Sequence, residues 1–253
     1  MIKLAIYGKG GIGKSTTVSH IAVALAKKGL KVIQIGCDPK ADSTLLLRGD
    51  GYMPTVLDLV REKGNNFTLE EMTKIGYAGV VCVEAGGPAP GTGCAGRGFL
   101  VALEKLREKG AYEVYKPDVV LYDVLGDVVC GGFTAPMRAG HADFCFAVTS
   151  GENMSLHAAS NIAQAVNSFG ERGYARFGGL ILNRRNVRNE QEKVEELAEK
   201  IGSKVVGMLD RSLDVNDAEE LCQTVFEALP ESEMVGQYTA LAESLVRECG
   251  GSL

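Results

Sequence analysis

The stretch Gly8-Lys9-Gly10-Gly11-Ile12-Gly13-Lys14-Ser15-Thr16 decides how this sequence folds and what its first site binds. It follows an apolar, strand-like run from Ile2 to Tyr7 and opens a helical stretch that ends near Lys28. Glycines at this spacing let backbone N–H groups curl around a phosphate, and the start of the helix adds its positive end. Lys14 is predicted to reach the β- and γ-phosphate oxygens, and the Ser15 hydroxyl to ligate Mg²⁺. The stretch therefore predicts a P-loop that binds a nucleotide through Gly8, Gly10, Gly11, Ile12, Gly13, Lys14, Ser15 and Thr16.

Outward from the P-loop, short β-branched runs alternate with helical stretches. Strands are predicted at Ile2–Tyr7, Lys31–Gly36, Gly79–Val83, Val119–Asp123, Phe144–Val148, Gly179–Asn183 and Lys204–Leu209. Helices are predicted at Lys14–Lys28, Gly98–Lys109, Met154–Phe169, Asn189–Ile201 and Val215–Ala228. Apolar strands separated by helices indicate a parallel sheet that is covered on both faces. We therefore expect a doubly wound, mostly parallel α/β fold that forms a single domain over residues 1–253.

Composition narrows the possible functions. The chain of 253 residues carries a formal net charge of −5, which argues against a general nucleic-acid binder with its basic face. No apolar run approaches the roughly 18 residues that span a membrane, and the first residues lack the features of a signal peptide. We therefore expect a cytoplasmic protein that binds neither nucleic acid nor membrane. The seven cysteines are an odd number, which does not suit a disulfide framework.

Three acidic residues follow or end predicted strands and are expected near the nucleotide. Asp38 and Asp42 come shortly after the second strand, and Asp123 ends an apolar run in the manner of a Walker-B carboxylate near Mg²⁺. A surface turn or a helix cap is the alternative explanation for each of them. Lys9 is an additional cation inside the P-loop, and it could stabilise transition-state charge in its own subunit or in a facing one.

Two of the cysteines, Cys94 and Cys130, differ from the others because each is embedded in glycine. Glycine lets the backbone approach a ligand closely, whereas Cys37, Cys82 and Cys145 lie in or beside apolar strand runs and are expected to be buried. Two thiolates do not complete a four-cysteine iron–sulfur site, but two copies of the chain supply four. The sequence therefore predicts a homodimer with one cluster on its axis. A redox disulfide between the two cysteines and an intersubunit zinc site are the alternatives.

One short segment connects the predicted nucleotide site to the predicted cluster. Cys130 follows Asp123 by seven positions, and a span of this length reaches at most about 25 Å. Any nucleotide-dependent movement of Asp123–Asp127 is therefore expected to be felt at Cys130. This is the arrangement of an ordered switch that responds to a γ-phosphate.

At these motifs the sequence resembles the nitrogenase iron protein family. The resemblance rests on Tyr7–Thr17, Gly36–Thr44, Gly86–Gly98 and Tyr122–Phe133, and it covers roughly residues 1–185. It implies a P-loop NTPase of the SIMIBI class with a deviant Walker A motif, and a homodimer bridged by one 4Fe-4S cluster through Cys94 and Cys130. It also implies an ATP-bound dimer that docks on a catalytic partner complex and passes electrons to it from a low-potential donor such as ferredoxin.

The resemblance assigns roles around the nucleotide. Lys9 would contact the nucleotide across the dimer, and Asp38 would orient or activate the attacking water. Asp42 and Asp123 would serve the Mg²⁺ region, and Lys40 would help to hold the phosphates.

Three further residues receive roles from the same resemblance. Asp127 would lie in the switch beside the cluster, and with Lys9 and Asp38 it completes the predicted catalytic group. Arg97 matches the family arginine at the partner-docking surface beside the cluster. Asn183, at the end of a predicted strand, matches a contact to adenine.

Departures from the family pattern bear on the branch to which the chain is similar. The sequence stops soon after a helical stretch near Tyr238–Glu248, where nitrogenase proteins have a C-terminal extension that wraps around the dimer. The family's Pro-Arg-Asp reads Asp210-Arg211-Ser212, which leaves the adenine contacts beyond Asn183 open. The protochlorophyllide branch usually has His in place of Ala41. The chain therefore resembles the reductase component of the Ni-sirohydrochlorin a,c-diamide reductive cyclase, which serves coenzyme F(430) biosynthesis in the anaerobic cytoplasm of methanogens.

Other functions stay open at this point. Within the family, the alternatives are a nitrogenase iron protein and a protochlorophyllide-type reductase component. Outside it, a partitioning ATPase would keep Lys9 and the dimer but would need no cysteines. An iron–sulfur assembly scaffold generally has a Cys-x-x-Cys pair, which this chain lacks.

Overall fold

The computed structural model describes residues 1–87, 95–124, 126, 134–138, 140–170 and 174–251, without the side chains of residues 95–97 and 169–170. Within these ranges the centre of the fold is an eight-stranded sheet. Its strands are β1 Ile2–Gly8, β2 Val32–Gly36, β3 Lys74–Ile75, β4 Val81–Glu84, β5 Val119–Asp123, β6 Phe144–Thr149, β7 Arg176–Asn183 and β8 Val205–Leu209. The spatial order is β3-β4-β2-β5-β1-β6-β7-β8, and only the β3–β4 pair is antiparallel.

Helices follow most of the strands and bring the chain back to the end of the sheet at which the next strand begins. In the described ranges they are α1 Lys14–Lys27, α2 Leu45–Arg48, α3 Val56–Lys63, α4 Leu69–Met72, α5 Ala95–Glu108, α6 Ala111–Tyr115, α7 Asn153–Gly170, α8 Glu190–Lys200, α9 Leu213–Glu220, α10 Val225–Ala228 and α11 Glu233–Glu248. None of these helices combines the length and the apolar character needed to cross a bilayer. A single 3₁₀ turn, Tyr77–Gly79, precedes β4.

The sheet is buried on both faces, as its continuous apolar strands require. Every residue of β5 and of β6 is buried. One face packs against α1, α10 and α11, and the other against α3, α5, α7 and α8. On the second face, the ring of Phe99 in α5 meets Tyr122 of β5 edge-on, with 5.4 Å between ring centroids. The predicted doubly wound, mostly parallel α/β fold is thereby confirmed.

The register of the sheet brings the carboxyl ends of several strands to one edge. Asp123 is aligned with Ile6 of β1 and with Gly36 of β2, while Glu84 of β4 is aligned with Gly36 on the other side. The loop after β2, residues 38–44, is called the β2 loop below. The P-loop, the β2 loop and the chain after β5 therefore start side by side, which is where ligands bind in this class of fold.

The structure corrects some of the predicted elements. The predicted helix Val215–Ala228 is two helices, α9 and α10, because Cys222 adopts a left-handed conformation with φ 53° between them. The hydrogen bonds of Cys222 N–H to the Glu219 carbonyl and of Gln223 N–H to the Ala218 carbonyl close α9 as a Schellman motif. The helix predicted from Gly98 starts three residues earlier, at Ala95. The short strand β3 and helices α2, α3, α4 and α6 were not predicted.

Candidate nucleotide and cluster site

The P-loop joins the end of β1 to the start of α1. Gly13 is left-handed with φ 87°, and no described side chain caps the first turn of α1. The N–H groups of a helix start that lacks such a cap are available to bind an anion. A methyl group on Gly8 would lie 2.7 Å from the Val148 carbonyl oxygen, so the loop begins in direct contact with β6. Gly10 and Gly11, farther along, are exposed. The predicted P-loop thus has the geometry of a phosphate cradle.

Lys14, Ser15 and Asp123 meet beside this loop. Lys14 Nζ forms an ion pair with Asp123 Oδ1 and lies 3.4 Å from Ser15 Oγ. The side chain of Lys14 is 12% exposed and that of Asp123 is 1% exposed. Each charge needs the other at this depth, because a single buried charge is poorly compensated. The phosphates of a bound nucleotide would give Lys14 a new counter-ion and free Asp123 and Ser15 for Mg²⁺.

The β2 loop places three more predicted residues at the same edge. It begins beside β5, because Cys37, the residue directly before it, donates its N–H to the Asp123 carbonyl at 3.0 Å. Asp38 Oδ1 accepts a hydrogen bond from the Lys40 N–H at 2.9 Å. Lys40 and Asp42 are exposed and Asp38 is half-buried, so all three are accessible to a ligand. Their roles in hydrolysis and in Mg²⁺ binding stay predictions.

The chain after Asp123 turns directly onto the P-loop. A methyl group on Gly126 would lie 2.0 Å from the Gly8 carbonyl oxygen and 2.8 Å from the Gly10 nitrogen. Atoms do not approach so closely in packed interiors, so this position accepts glycine alone. In the sequence, Gly126 precedes Cys130 by four positions. Any displacement of the P-loop would therefore act on the segment that leads to Cys130.

The end of β7 holds the P-loop from the other side. Asn183 Nδ2 donates to the Ile12 carbonyl at 2.7 Å, and Arg185 Nη2 donates to the Gly11 carbonyl at 2.6 Å. The buried Glu190 carboxylate accepts the Arg185 N–H at 2.9 and 3.0 Å. Asn183 therefore lies beside the nucleotide site, and its contact to adenine stays a prediction. Arg185 and Glu190 were not predicted; the available signal was a pair of arginines directly after a strand end.

Behind the P-loop, α1 is joined to α9 and α10. The Thr16 hydroxyl donates to Glu219, while His20 Nδ1 lies 2.7 Å from the Thr16 carbonyl oxygen. The Val225 N–H donates to His20 Nε2 at 3.0 Å. Because that N–H can only donate, Nε2 accepts and the ring proton belongs on Nδ1. Burial lowers the pKa of His20 to about 4, which keeps the imidazole neutral.

The residues predicted at the cluster fall largely outside the described part of the chain. Cys94, Asp127 and Cys130 are not among the described residues. Arg97 belongs to the first turn of α5, but its side chain is not described. Cys94 directly precedes Ala95, the first residue of α5. The bridging role of the two cysteines and the roles of Asp127 and Arg97 stay predictions.

Four of the five described cysteines are poor ligands for a cluster. Cys37, Cys82 and Cys145 are buried, as predicted. Burial raises the pKa of the Cys82 thiol to about 12 and the pKa values of Cys37 and Cys145 well above their usual range. Burial likewise raises the pKa of the partly exposed Cys249 to about 12. Cys222, the fifth described cysteine, is also partly exposed. Metals bind the thiolate form, and no three His, Cys, Asp or Glu side chains of the described residues form a metal site.

Comparisons with known proteins agree with this architecture. A model of the family described as 4Fe-4S iron–sulfur cluster binding proteins, NifH/frxC family, matches residues 2–250. The nitrogenase iron protein of Methanospirillum hungatei is 49% identical over 249 residues, which cover 97% of this chain and 88% of that protein.

Solved structures with low sequence identity share the fold. The septum site-determining protein MinD of Pyrococcus horikoshii, complexed with Mg-ADP, aligns with a TM-score of 0.76 at 19% identity, covering 98% of this chain and 97% of that one. Cobyrinic acid a,c-diamide synthase from Mycobacterium smegmatis, with bound ADP and magnesium, aligns with a TM-score of 0.69 at 16% identity, covering 99% and 96%. These likenesses support the predicted P-loop NTPase fold.

Proposed function

The chain belongs to the NifH/frxC family of 4Fe-4S iron–sulfur cluster binding proteins, and on that premise we propose that it is an ATP-dependent reductase component. Two copies would share one cluster, and MgATP hydrolysis would drive low-potential electron transfer to a catalytic partner complex. One observation supports this most directly: Gly126 lies against the P-loop backbone only four positions before Cys130. The nucleotide and the predicted cluster ligand would therefore act on the same short segment.

In the proposed reaction, the residues at the carboxyl edge hold and activate MgATP. Lys14 would exchange its ion pair with Asp123 for contacts to the β- and γ-phosphates, while Ser15 would ligate Mg²⁺. Asp38 would orient the attacking water, since its half-buried carboxylate lies on the loop next to Asp123. Lys9 of a facing subunit would stabilise the charge that develops on the transferred phosphoryl group. Asp42 and Lys40 would complete the Mg²⁺ and phosphate contacts from the exposed side of the β2 loop.

Cys94 and Cys130 of two copies would hold the cluster, which supplies one-electron transfer at low potential when it is bound. Support for this ligand set comes from the described cysteines, because the raised thiol pKa values of Cys37, Cys82 and Cys145 disfavour the thiolate form. Arg97 would lie at the docking surface for the partner. A low-potential donor such as ferredoxin would return the electron that the partner takes.

The finer proposal concerns the pathway. We propose that the partner is the catalytic component that cyclises Ni-sirohydrochlorin a,c-diamide on the way to coenzyme F(430). Ala41, where the protochlorophyllide branch usually has His, supports this branch. A nitrogenase iron protein is the second candidate, and the 49% identity to the protein from Methanospirillum hungatei favours it. Anaerobic reconstitution with each catalytic component, scored by ATP-dependent product formation, distinguishes the two.

The cluster and its ligands are tested by iron content and spectroscopy. We expect anaerobically purified protein to be brown, to contain about four irons per dimer and to give an EPR signal when reduced. Cys94→Ser and Cys130→Ser are each expected to abolish all three properties. Cys222→Ser, at a partly exposed cysteine between two helices, is the matched control and is expected to retain them. A cluster that persists in Cys94→Ser or in Cys130→Ser would contradict the bridging arrangement.

A further inference from the structure

A buried carboxylate outside the predicted nucleotide and cluster residues joins two parts of the site. Glu84 is the last residue of β4 and is fully buried. Its Oε1 accepts two hydrogen bonds from Thr44, the last residue of the β2 loop: one from the backbone N–H at 2.7 Å and one from the hydroxyl at 2.6 Å. Hydrogen bonds to an ionisable carboxyl group are among the stronger ones in proteins. The β2 loop, which contains Asp38 and Asp42, is therefore fastened to β4 at its end.

The packing around Glu84 gives its carboxyl group one position. A methyl group on Gly36, its neighbour on β2, would lie 2.1 Å from Glu84 Oε2 and 2.5 Å from the Ser43 Cβ. The carboxyl group thus fills the space that a side chain at position 36 would need. Because the interior is close-packed, a movement of Thr44 has to displace Glu84 or break its hydrogen bonds.

The chain beyond Glu84 contacts the β2 loop a second time. A methyl group on Gly87 would lie 2.4 Å from Pro39 Cγ, so the backbone at Gly87 rests on the proline ring near the start of the loop. A methyl group on Gly98, in the first turn of α5, would lie 2.5 Å from Leu57 Cδ1 and 3.0 Å from the Gly86 carbonyl oxygen. The described residues therefore form a continuous path from the β2 loop, through residues 84–87, to the first turn of α5.

This path ends next to a predicted cluster ligand, because α5 begins one residue after Cys94. We propose that Glu84 is a positioning residue that transmits the nucleotide-dependent position of the β2 loop to the first turn of α5, and so to Cys94. This would be a second connection between nucleotide and cluster, on a different strand from the Asp123–Cys130 segment. The inference rests on the proposed function, since it takes the nucleotide and the cluster as the two sites.

Burying the acidic group of Glu84 costs free energy, and an apolar side chain would fill the same space without that cost. Burial raises the pKa of Glu84 to about 7, against the lowering effect of its hydrogen bonds to Thr44, and Oε2 has no hydrogen-bond partner among the described residues. Gln34 on β2 provides a comparison. Its buried amide donates to the Ser43 carbonyl at 2.9 Å, so it holds the same loop, but among the described residues the amide makes no hydrogen bond to β4.

The test measures amide hydrogen exchange of two peptides, with and without MgADP, in anaerobically purified full-length protein. The first peptide covers α1 and reports nucleotide binding; the second covers residues 95–108 and reports α5. In the wild type we expect MgADP to change exchange in both. Glu84→Met, which keeps the volume and loses both hydrogen bonds, is expected to keep the α1 response and to reduce the α5 response at least about tenfold, because the loss of even one hydrogen bond to a charged group corresponds to that factor.

Two other variants separate transmission from simple structural support. Glu84→Gln retains an acceptor for Thr44, and we expect it to restore the α5 response. Gln34→Met removes a buried polar group of β2 that holds the same loop, and we expect it to leave the α5 response unchanged. If Glu84→Met does not fold, Thr44→Val takes its place, because it removes one of the two donors and leaves the carboxyl group; its α5 response is expected to fall.

The outcomes distinguish this inference from the proposed function. An α5 response of wild-type size in Glu84→Met or Thr44→Val, or no α5 response in the wild type, would overturn the role of Glu84. Wild-type protein that holds no iron yet shows an α5 response lost in Glu84→Met would refute the reductase and leave the transmission path standing.

Discussion

Replacing Gly126 by alanine tests the contact on which the proposed switch depends. The added methyl group would lie 2.0 Å from the Gly8 carbonyl oxygen, 2.8 Å from the Gly10 nitrogen and 2.9 Å from the Lys9 carbonyl carbon. All three are backbone atoms, so no side chain can rotate away. To restore an ordinary contact of 3.4 Å, the two backbones must separate by about 1.4 Å. Overpacking of a close-packed site costs about 1–3 kcal/mol, and we expect the upper end here because only backbone can yield.

The assay compares stability and nucleotide affinity in the same samples. We expect Gly126→Ala to lower the free energy of unfolding of the nucleotide-free protein by about 3 kcal/mol in urea denaturation. MgADP binding, measured by calorimetry, is expected to weaken at least about tenfold, because the N–H groups that hold the phosphates are displaced. Gly236→Ala is the matched control: Gly236 lies within α11 with no atom within 4 Å of its added methyl group. That change is expected to raise stability by about 0.5–1 kcal/mol.

The refuting result is specific. A Gly126→Ala protein with unchanged stability and unchanged MgADP affinity would mean that the chain after Asp123 does not rest on the P-loop. The proposed transmission toward Cys130 would then lose its structural basis.

Three further predictions follow from buried groups near the site. The folded-state pKa of His20, about 4, lies below the unfolded value of 6.5, so the contribution of the neutral imidazole to the free energy of unfolding is full above pH 6.5 and is lost as pH falls toward 4. Relative to His20→Gln, the wild type is expected to lose about 2 kcal/mol of unfolding free energy between pH 8 and pH 5 in urea unfolding. A difference in unfolding free energy between the two proteins that does not change with pH would contradict the neutral imidazole. Asp123→Asn leaves the charge of Lys14 uncompensated and is expected to lower the free energy of unfolding by about 3 kcal/mol; wild-type stability would show that their ion pair is not formed in solution. Gly36→Ala is expected to displace the Glu84 carboxyl group and to lower the free energy of unfolding by about 2 kcal/mol. Adding Glu84→Ala to this variant is expected to recover part of the lost melting temperature, whereas strictly additive effects of the two changes would contradict the contact between positions 36 and 84.

The fold could be predicted because its signals are local. The P-loop glycines stand between a strand and a helix, and each long strand is a continuous apolar run, as a buried parallel sheet requires. The break between α9 and α10 could not be predicted in this way. A left-handed residue after a helix is usually glycine, but here it is Cys222, and the apolar period continues past it. The first N–H of α10 finds its acceptor on His20, far away in sequence.

The site could be predicted in part for the same reason. Lys14, Ser15 and Asp123 belong to motifs with fixed spacing, and the structure brings all three together. Glu84 has the same signal as Asp123, an acid at the end of an apolar strand, but its partner Thr44 is identified only by strand order. Arg185 has no motif at all, because its contact to the P-loop depends on where β7 ends.

The glycine contact at the carboxyl edge has a mechanical consequence. Where Gly126 meets the P-loop, main chain rests on main chain, because the three atoms nearest to its added methyl group all belong to the backbone of residues 8–10. A rotamer change can absorb a small shift between packed side chains, but a contact between two backbones has no such adjustment. A displacement of a few tenths of an ångström at the P-loop would therefore move the chain at Gly126 by a similar distance.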